Sequence, residues 1–313
     1  MQLSAPNCWL QRLPALPEEI AREPCDYFEN LPGKNTLSVF IDGFNIWYRV
    51  PSPQLDIIKA IGRMLQISCC IMDDIQDNSE LRRGAPAAHM VFGVPQAINS
   101  ANYLLLKCVG EASKLSPAAV DIFTQGACDV GIGQAHDLHA TFNGEVPSER
   151  DYIKMIDGKC GGFFRVAVGL MRDQATRNRD LDVEDFLLFL GRFYQTRDDY
   201  NNLMSHEYTK TKGHLSDLDE GKYSLMLIHS LRNSKEGTQL KSLLTMRARQ
   251  GNLSPEQKDT VMKILMRSES MEYTLNILEE LDNGMDNQLG RLENQAGERN
   301  VILRAVLEKL RMQ

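Results

Sequence analysis

Between Gln54 and Ile75 the apolar residues Ile57, Ile58, Ile61, Met64, Leu65, Ile67, Ile71, Met72 and Ile75 fall on one broad helical stripe. The segment from Gln96 to Leu115 repeats the pattern, and Phe186, Leu187, Leu190, Phe193 and Tyr194 carry it again. Helix starts are signalled by Ser116-Pro117, by Ser148 with Asp151 three residues on, and by Ser254-Pro255-Glu256. No segment alternates polar and apolar residues over the length of a strand. These patterns predict an all-α chain, a helical bundle with a cavity between its helices. Residues 1–22, with Pro6, Pro14 and Pro17, read as an irregular lead-in to one helical domain over 23–313. The length would permit two domains, but no Gly/Ser/Pro-rich linker separates helical blocks. The polar segment 205–220, with Lys212-Gly213, reads as a loop able to close over a site. The Asn/Gln/Gly-rich stretch 283–300 reads as a mobile connection before a last helix.

The first helical stripe runs into Asp73-Asp74-Ile75-Gln76-Asp77 and, shortly after, Leu81-Arg82-Arg83-Gly84. Asp73 and Asp77 are four apart and share a helix face. Carboxylates that close repel unless a cation joins them, and oxygen ligands suit Mg²⁺. The adjoining arginines offer forked donors to phosphate oxygens. Residues 191–202 repeat the theme with Arg197, Asp198, Asp199 and Asn202. Either run alone is equally well a solvated helix end. Together they describe a clamp for a metal-bound diphosphate.

With Leu31-Pro32-Gly33-Lys34, Phe44-Asn45-Ile46-Trp47, residues 93–103, Lys159-Cys160-Gly161-Gly162 and Glu220-Gly221-Lys222-Tyr223-Ser224, these runs make the chain resemble the trans-isoprenyl diphosphate synthases. The likeness is greatest to fungal geranylgeranyl diphosphate synthases and spans about Glu23 to Asp282. It implies the isoprenoid-synthase helical bundle, a prenyl diphosphate substrate, about three Mg²⁺ ions and a homodimer. It also implies that Asp73, Asp74, Asp77, Asp198 and Asn202 serve the metals. Asp199 joins them in the catalytic set. Arg82, Arg83, Lys159, Lys212, Lys222 and Gln195 are implied to serve the diphosphate. Each lysine alone would read as an ordinary surface lysine. Arg83 is the least certain of these, because in the synthases it serves the second substrate. Ser68, Cys69, Phe163, Phe164, Phe193, Tyr194 and His136 are candidates for the cavity lining; plain core packing is the competing reading for the aromatics.

Composition narrows the rest. A net charge of −7 argues against a nucleic-acid binder, and no apolar run reaches the length of a membrane span. The seven cysteines show no paired spacing, and the N-terminus has no basic-then-apolar signal pattern, so a reducing cytoplasmic setting is expected.

Departures from the family pattern bear on the reaction. The synthases hold their second substrate, isopentenyl diphosphate, with a Gly-Lys-x-x-Arg motif and with a histidine one turn before the first acidic run. Here those positions are Leu37 and Gln66. Charge-assisted bonds to phosphate are worth about 1.5–3 kcal/mol each, so losing two weakens that substrate by roughly two to four orders of magnitude. Where the family has Glu-Leu-His-Arg-Gly-Gln-Gly, this chain reads Asp129-Val130-Gly131-Ile132-Gly133-Gln134-Ala135, followed by His136 and His139, and Cys160 replaces a usual threonine. The expected function is a class I terpene cyclase that ionises an allylic diphosphate and lets the cation attack its own distal double bond. The usual cyclase signature, Asn-x-x-x-Ser-x-x-x-Glu, is incomplete from Asn201 through Ser205 to Thr209. Small Ser68, Cys69 and Cys70 leave room for a C15 or C20 chain, with farnesyl diphosphate preferred. The final base is the released diphosphate or, by residue type, His136, His139 or His89. The alternatives are a geranylgeranyl diphosphate synthase condensing farnesyl with isopentenyl diphosphate, and a non-catalytic partner subunit of a synthase.

Overall fold

The apolar stripe of residues 54–75 forms one continuous helix, α3 (Ser52–Gln76), in the computed structural model, which describes residues 12, 14–33, 36–205 and 213–311. Before it lie α1 (Glu19–Asn30) and α2 (Thr36–Tyr48). After it come a short hairpin, β1 (Leu81–Arg82) with β2 (Ala85–Pro86), then α4 (Ala88–Phe92), α5 (Val94–Ser113), α6 (Pro117–Asn143), α7 (Glu149–Asp173) and α8 (Glu184–Met204). The remainder is α9 (Ser216–Glu220), α10 (Leu225–Asn233), α11 (Gly237–Gln250), α12 (Pro255–Arg267), α13 (Ser270–Ala296) and α14 (Val301–Arg311). The class is all-α, in a single domain.

The caps act as expected. Ser116 Oγ accepts from Ala119 N at 2.9 Å, Ser148 Oγ accepts from Asp151 N at 3.1 Å, and Ser254 closes a reciprocal capping box with Gln257. The main core joins α2, α3, α7, α8, α13 and α14 through Phe44, Trp47, Ile58, Leu65, Phe186, Leu289 and Leu307. Each large apolar side chain buried there contributes about 1.5–3 kcal/mol. α6 lies along α7, and their backbones meet at Gly133 and Gly158. A Cβ on Gly133 would stand 2.4 Å from Lys159 N and 2.8 Å from Met155 O. The glycine is what lets α6 reach the segment that carries Lys159.

The hairpin explains Leu81-Arg82-Arg83-Gly84. Arg82 pairs with Ala85, so Arg83 and Gly84 form a two-residue turn, and both have positive φ, 56° and 79°. That is the twist a tight hairpin needs. It turns the two arginines toward different partners.

Two expectations fail. Residues 283–296 are not a mobile connection but the second half of α13: Met285, Leu289 and Leu292 are buried at helical spacing. Helical periodicity there overrides a polar, glycine-bearing composition. The polar segment 205–220 is not wholly loop, because Ser216–Glu220 is helical; residues 206–212 lie outside the described residues.

Candidate active site at the end of α3

α3 delivers Asp73 and Asp74 in its last turn and Asp77 as its C-cap residue. Three other elements bring cations to them: the hairpin brings Arg82, α7 brings Lys159, and the turn after α9 brings Lys222. Asp73 Oδ1 accepts from Lys159 Nζ at 3.2 Å and from Gln134 Nε2 at 3.3 Å, and its Oδ2 accepts from Arg82 at 3.3 Å. Burial alone would push this carboxyl up, yet Lys159, Lys222 and Arg82 together hold it well below the usual carboxylate range. Asp74 is fully buried. Its Oδ1 takes Arg82 Nε at 2.7 Å and also Arg82 Nη2, while its Oδ2 has no hydrogen-bond partner among the described residues. Burial raises its pKa against the pull of Arg82.

Asp77 is pushed up to about 7 by burial, with Asp73 and Glu220 adding to the shift and Lys222 opposing it. Lys222 Nζ stands 2.6 Å from Asp77 Oδ2 and 2.7 Å from Glu220 Oε2. Lys159 also reaches Asp137 at 3.1 Å. Burial disfavours the charge on Lys159 and on Lys222, but the surrounding carboxylates outweigh it and raise both. Arg82, Lys159 and Lys222, expected to grip a diphosphate, each rest on a carboxylate expected to hold metal; Arg83 does not.

The second acidic run sits on α8. Asp199 is buried and pushed up to about 6 by desolvation, although Tyr152 Oη donates to it at 2.6 Å and Gln195 Nε2 at 2.7 Å. Cys160 Sγ donates to Gln195 Oε1 at 3.1 Å, so the cysteine in the usual threonine position joins this network. Asp198 is half-buried. Asn202 does not face the first acidic run with a free amide: its Nδ2 donates to Ser216 Oγ at 2.9 Å and its Oδ1 accepts from Asp217 N at 3.2 Å, which anchors α9. Lys212 lies outside the described residues.

A cavity of about 210 Å³ opens beside Lys159. Cys69, Cys70, Phe163, Phe164 and Tyr194 line it, joined by Phe40, Leu190, Val306 and Leu310. Phe164 stands between Phe40 and Tyr194, with ring centroids 5.2 Å and 6.2 Å away. Three expected lining residues lie elsewhere. Ser68 donates to Ala101 O at 2.9 Å and so faces α5; Phe193 is buried in the core; His136 is exposed on α6. His139 is exposed beside Asn143, and His89 is buried with Nδ1 unpartnered among the described residues. Residues the sequence reading did not single out include Gln134, Asp137, Tyr152, Glu220 and Phe40.

Leu37 and Gln66 also line this cavity, and both line a second one of about 460 Å³ as well. The second cavity holds Lys59, Arg63 and Arg83. The Arg83 guanidinium lies 4.7 Å over the Phe28 ring. It occupies the space a side chain at Gly33 would need, since a Cβ there would meet its Nη1 at 2.5 Å.

The family model for polyprenyl synthetase matches residues 18–265. The chain belongs to the polyprenyl synthetase family. The chain is 40% identical over 300 residues to macrophomene synthase of Macrophomina phaseolina, covering 96% of this chain and 43% of that protein. It is 40% identical over 293 residues to a bifunctional sesterterpene synthase of Aspergillus aculeatus, covering 93% and 41% respectively. The ophiobolin F synthase of Cochliobolus heterostrophus is 38% identical over 311 residues, 96% of this chain and 43% of that one. The chain thus spans less than half the length of these curated relatives. Among its described residues, no helix is long and apolar enough to cross a membrane.

Proposed function

We propose that this chain is a class I terpene cyclase, which ionises an allylic prenyl diphosphate and cyclises the cation to a hydrocarbon. The observation that carries the reading is the place of Leu37 and Gln66. Both stand on the cavity wall where a synthase presents charged or chargeable ligands to its acceptor. The named relatives include a sesterterpene synthase, which is consistent with terpene formation.

The donor chemistry of Asp73, Asp74, Asp77 and Asp198 fits Mg²⁺, being oxygen only, and Asp74 Oδ2 is buried without a hydrogen-bond partner among the described residues, although no three acidic side chains among those residues already stand together as a metal cluster. Bound there, Mg²⁺ supplies positive charge to the departing diphosphate. Arg82, Lys159 and Lys222 exchange their carboxylate partners for diphosphate oxygens, and grip more strongly as charge develops on the leaving group. Phe40, Phe163, Phe164 and Tyr194 turn rings toward the cavity, exclude water and stabilise the cation.

The substrate has fifteen or twenty carbons. The preference for fifteen rested on Ser68 and Cys69, of which only Cys69 lines the cavity, and the sesterterpene synthase among the relatives is named for a product longer than fifteen carbons. The chain acts as a homodimer in the cytoplasm; exposed Ile132 and Phe142 on α6 and Leu106 on α5 offer apolar surface, and the described cysteines are free.

The second cavity favours one further reading. Arg83, Lys59 and Arg63 line it, and although Lys59 pairs with Asp42 and Arg63 with Glu29, both at 2.5 Å, Arg83 keeps it net cationic, as an acceptor diphosphate requires, so the runner-up is chain elongation. The intact carboxylate cluster counts against a non-catalytic partner subunit. Incubation with Mg²⁺ and farnesyl or geranylgeranyl diphosphate, with and without isopentenyl diphosphate, separates the readings. Hydrocarbon without acceptor supports cyclisation. Longer diphosphate formed only with acceptor supports elongation, and silence in both supports the partner subunit.

A further inference from the structure

We propose that Val306 and Leu310 of α14 are specificity-determining residues, which set how many isoprene units the cavity accepts. The inference rests on the reading of that cavity as the prenyl chain's site. Val306 and Leu310 are four residues apart, one helical turn, and both line the cavity together with Cys69 and Phe164. All three pack into the main core, but Leu307, between them, lines no part of the cavity.

The wall they form is held at several points. Arg197 Nη1 donates to Leu310 O at 2.5 Å. Arg304 grips Glu293 with two bonds of 3.0 and 2.6 Å. Asn300 Nδ2 donates to Gly43 O at 2.9 Å, and its Oδ1 caps Leu303 N at 3.0 Å. Arg197 lies between Thr196 and Asp198 in the second acidic run and sits 5.5 Å over the Tyr194 ring, another cavity wall. The same guanidinium therefore fixes both walls. A helix tied in this way does not drift aside for a longer chain, so its side chains limit the space. Truncating leucine to alanine removes three carbons and truncating valine to alanine removes two, together the carbon count of one isoprene unit. A single methylene in an apolar pocket is worth about 10–200-fold in discrimination, so a whole unit that fits or clashes is readily measured.

The test uses farnesyl and geranylgeranyl thiolodiphosphates, which resist ionisation, with Mg²⁺ and calorimetric Kd values. Melting curves check that each variant is folded. For Val306→Ala/Leu310→Ala, the ratio of affinities shifts at least about tenfold toward the twenty-carbon analogue. Leu310→Phe shifts it the other way. Leu307→Ala, which loses the same carbons as Leu310→Ala from the same core but away from the cavity, leaves the ratio unchanged. An unchanged ratio in the double variant and in Leu310→Phe, with wild-type protein binding both analogues, overturns this proposal alone. Wild-type protein that binds neither analogue overturns the prenyl diphosphate reading and this proposal with it.

Discussion

Replacing Lys159 by methionine tests whether the cations of the first acidic run serve both the resting fold and the leaving group. Lys159 Nζ lies 3.2 Å from Asp73 Oδ1 and 3.1 Å from Asp137 Oδ2. Its side chain is 19% exposed, and Asp137's is 14% exposed. Removing one partner of a buried pair costs about 3–5 kcal/mol, because the other charge stays behind. For 313 residues the entropy of unfolding makes that roughly 5–8 °C in Tm. Methionine also removes a charge-assisted bond to the departing diphosphate, worth about 1.5–3 kcal/mol, or roughly 10–150-fold in rate. The second variant separates the two effects. Lys159→Met/Asp137→Asn removes the stranded carboxylate and regains several degrees of Tm, yet diphosphate release stays at the Lys159→Met rate. Calorimetric melts and a coupled diphosphate assay read both. A Lys159→Met protein with the wild-type rate refutes the reasoning, and so does a double variant whose rate recovers with its stability.

Three other predictions address separate parts of the structure. Glu293 is held below its usual pKa chiefly by the hydrogen bonds of Arg304. Because the shift is downward, the stability it gives α14 is present above about pH 4.5 and is lost as the pH falls through the depressed value; the Tm gap between wild type and Glu293→Gln is therefore widest near neutral pH and closes on acidification. Gly133→Ala places a Cβ 2.4 Å from Lys159 N, against backbone that cannot step aside; it costs about 1–3 kcal/mol of stability in denaturant melts and also slows turnover by displacing Lys159. Leu37→Arg/Gln66→His returns two charge-capable ligands to the wall shared by the two cavities, and isopentenyl diphosphate binding measured by calorimetry strengthens by two orders of magnitude or more.

Much of this was legible in the sequence, for reasons particular residues make plain. The α3 stripe is long and strongly periodic, and its ends fell within two residues of expectation. Ser116, Ser148 and Ser254 announced their helices because each pairs a cap with a local partner three residues away. Facing within a helix was less accessible. Ser68 and Cys69 are adjacent, and only the packing of α5 decides that Ser68 turns away while Cys69 meets the cavity. Gln134 and Asp137 became site residues only when α6 crossed α7 at Gly133 and Gly158, a long-range event with no local signal. Glu220 was hidden because its segment was read as loop rather than as α9. Residues 283–300 were read from composition when the spacing of Met285, Leu289 and Leu292 was the better guide. The Arg83-Gly84 pair did carry a local signal, that of a tight hairpin turn, and it is this turn that sends Arg82 to Asp74 and Arg83 to the Phe28 side.

A cyclase of this descent keeps ionisation and gives up its acceptor, and product analysis of purified protein with Mg²⁺ and a single allylic diphosphate, farnesyl or geranylgeranyl, in the absence of isopentenyl diphosphate decides whether this chain does so. The expected product is a cyclic hydrocarbon in the organic extract together with an equal amount of inorganic diphosphate. Intact substrate under those conditions, with clean elongation as soon as isopentenyl diphosphate is added, would contradict it.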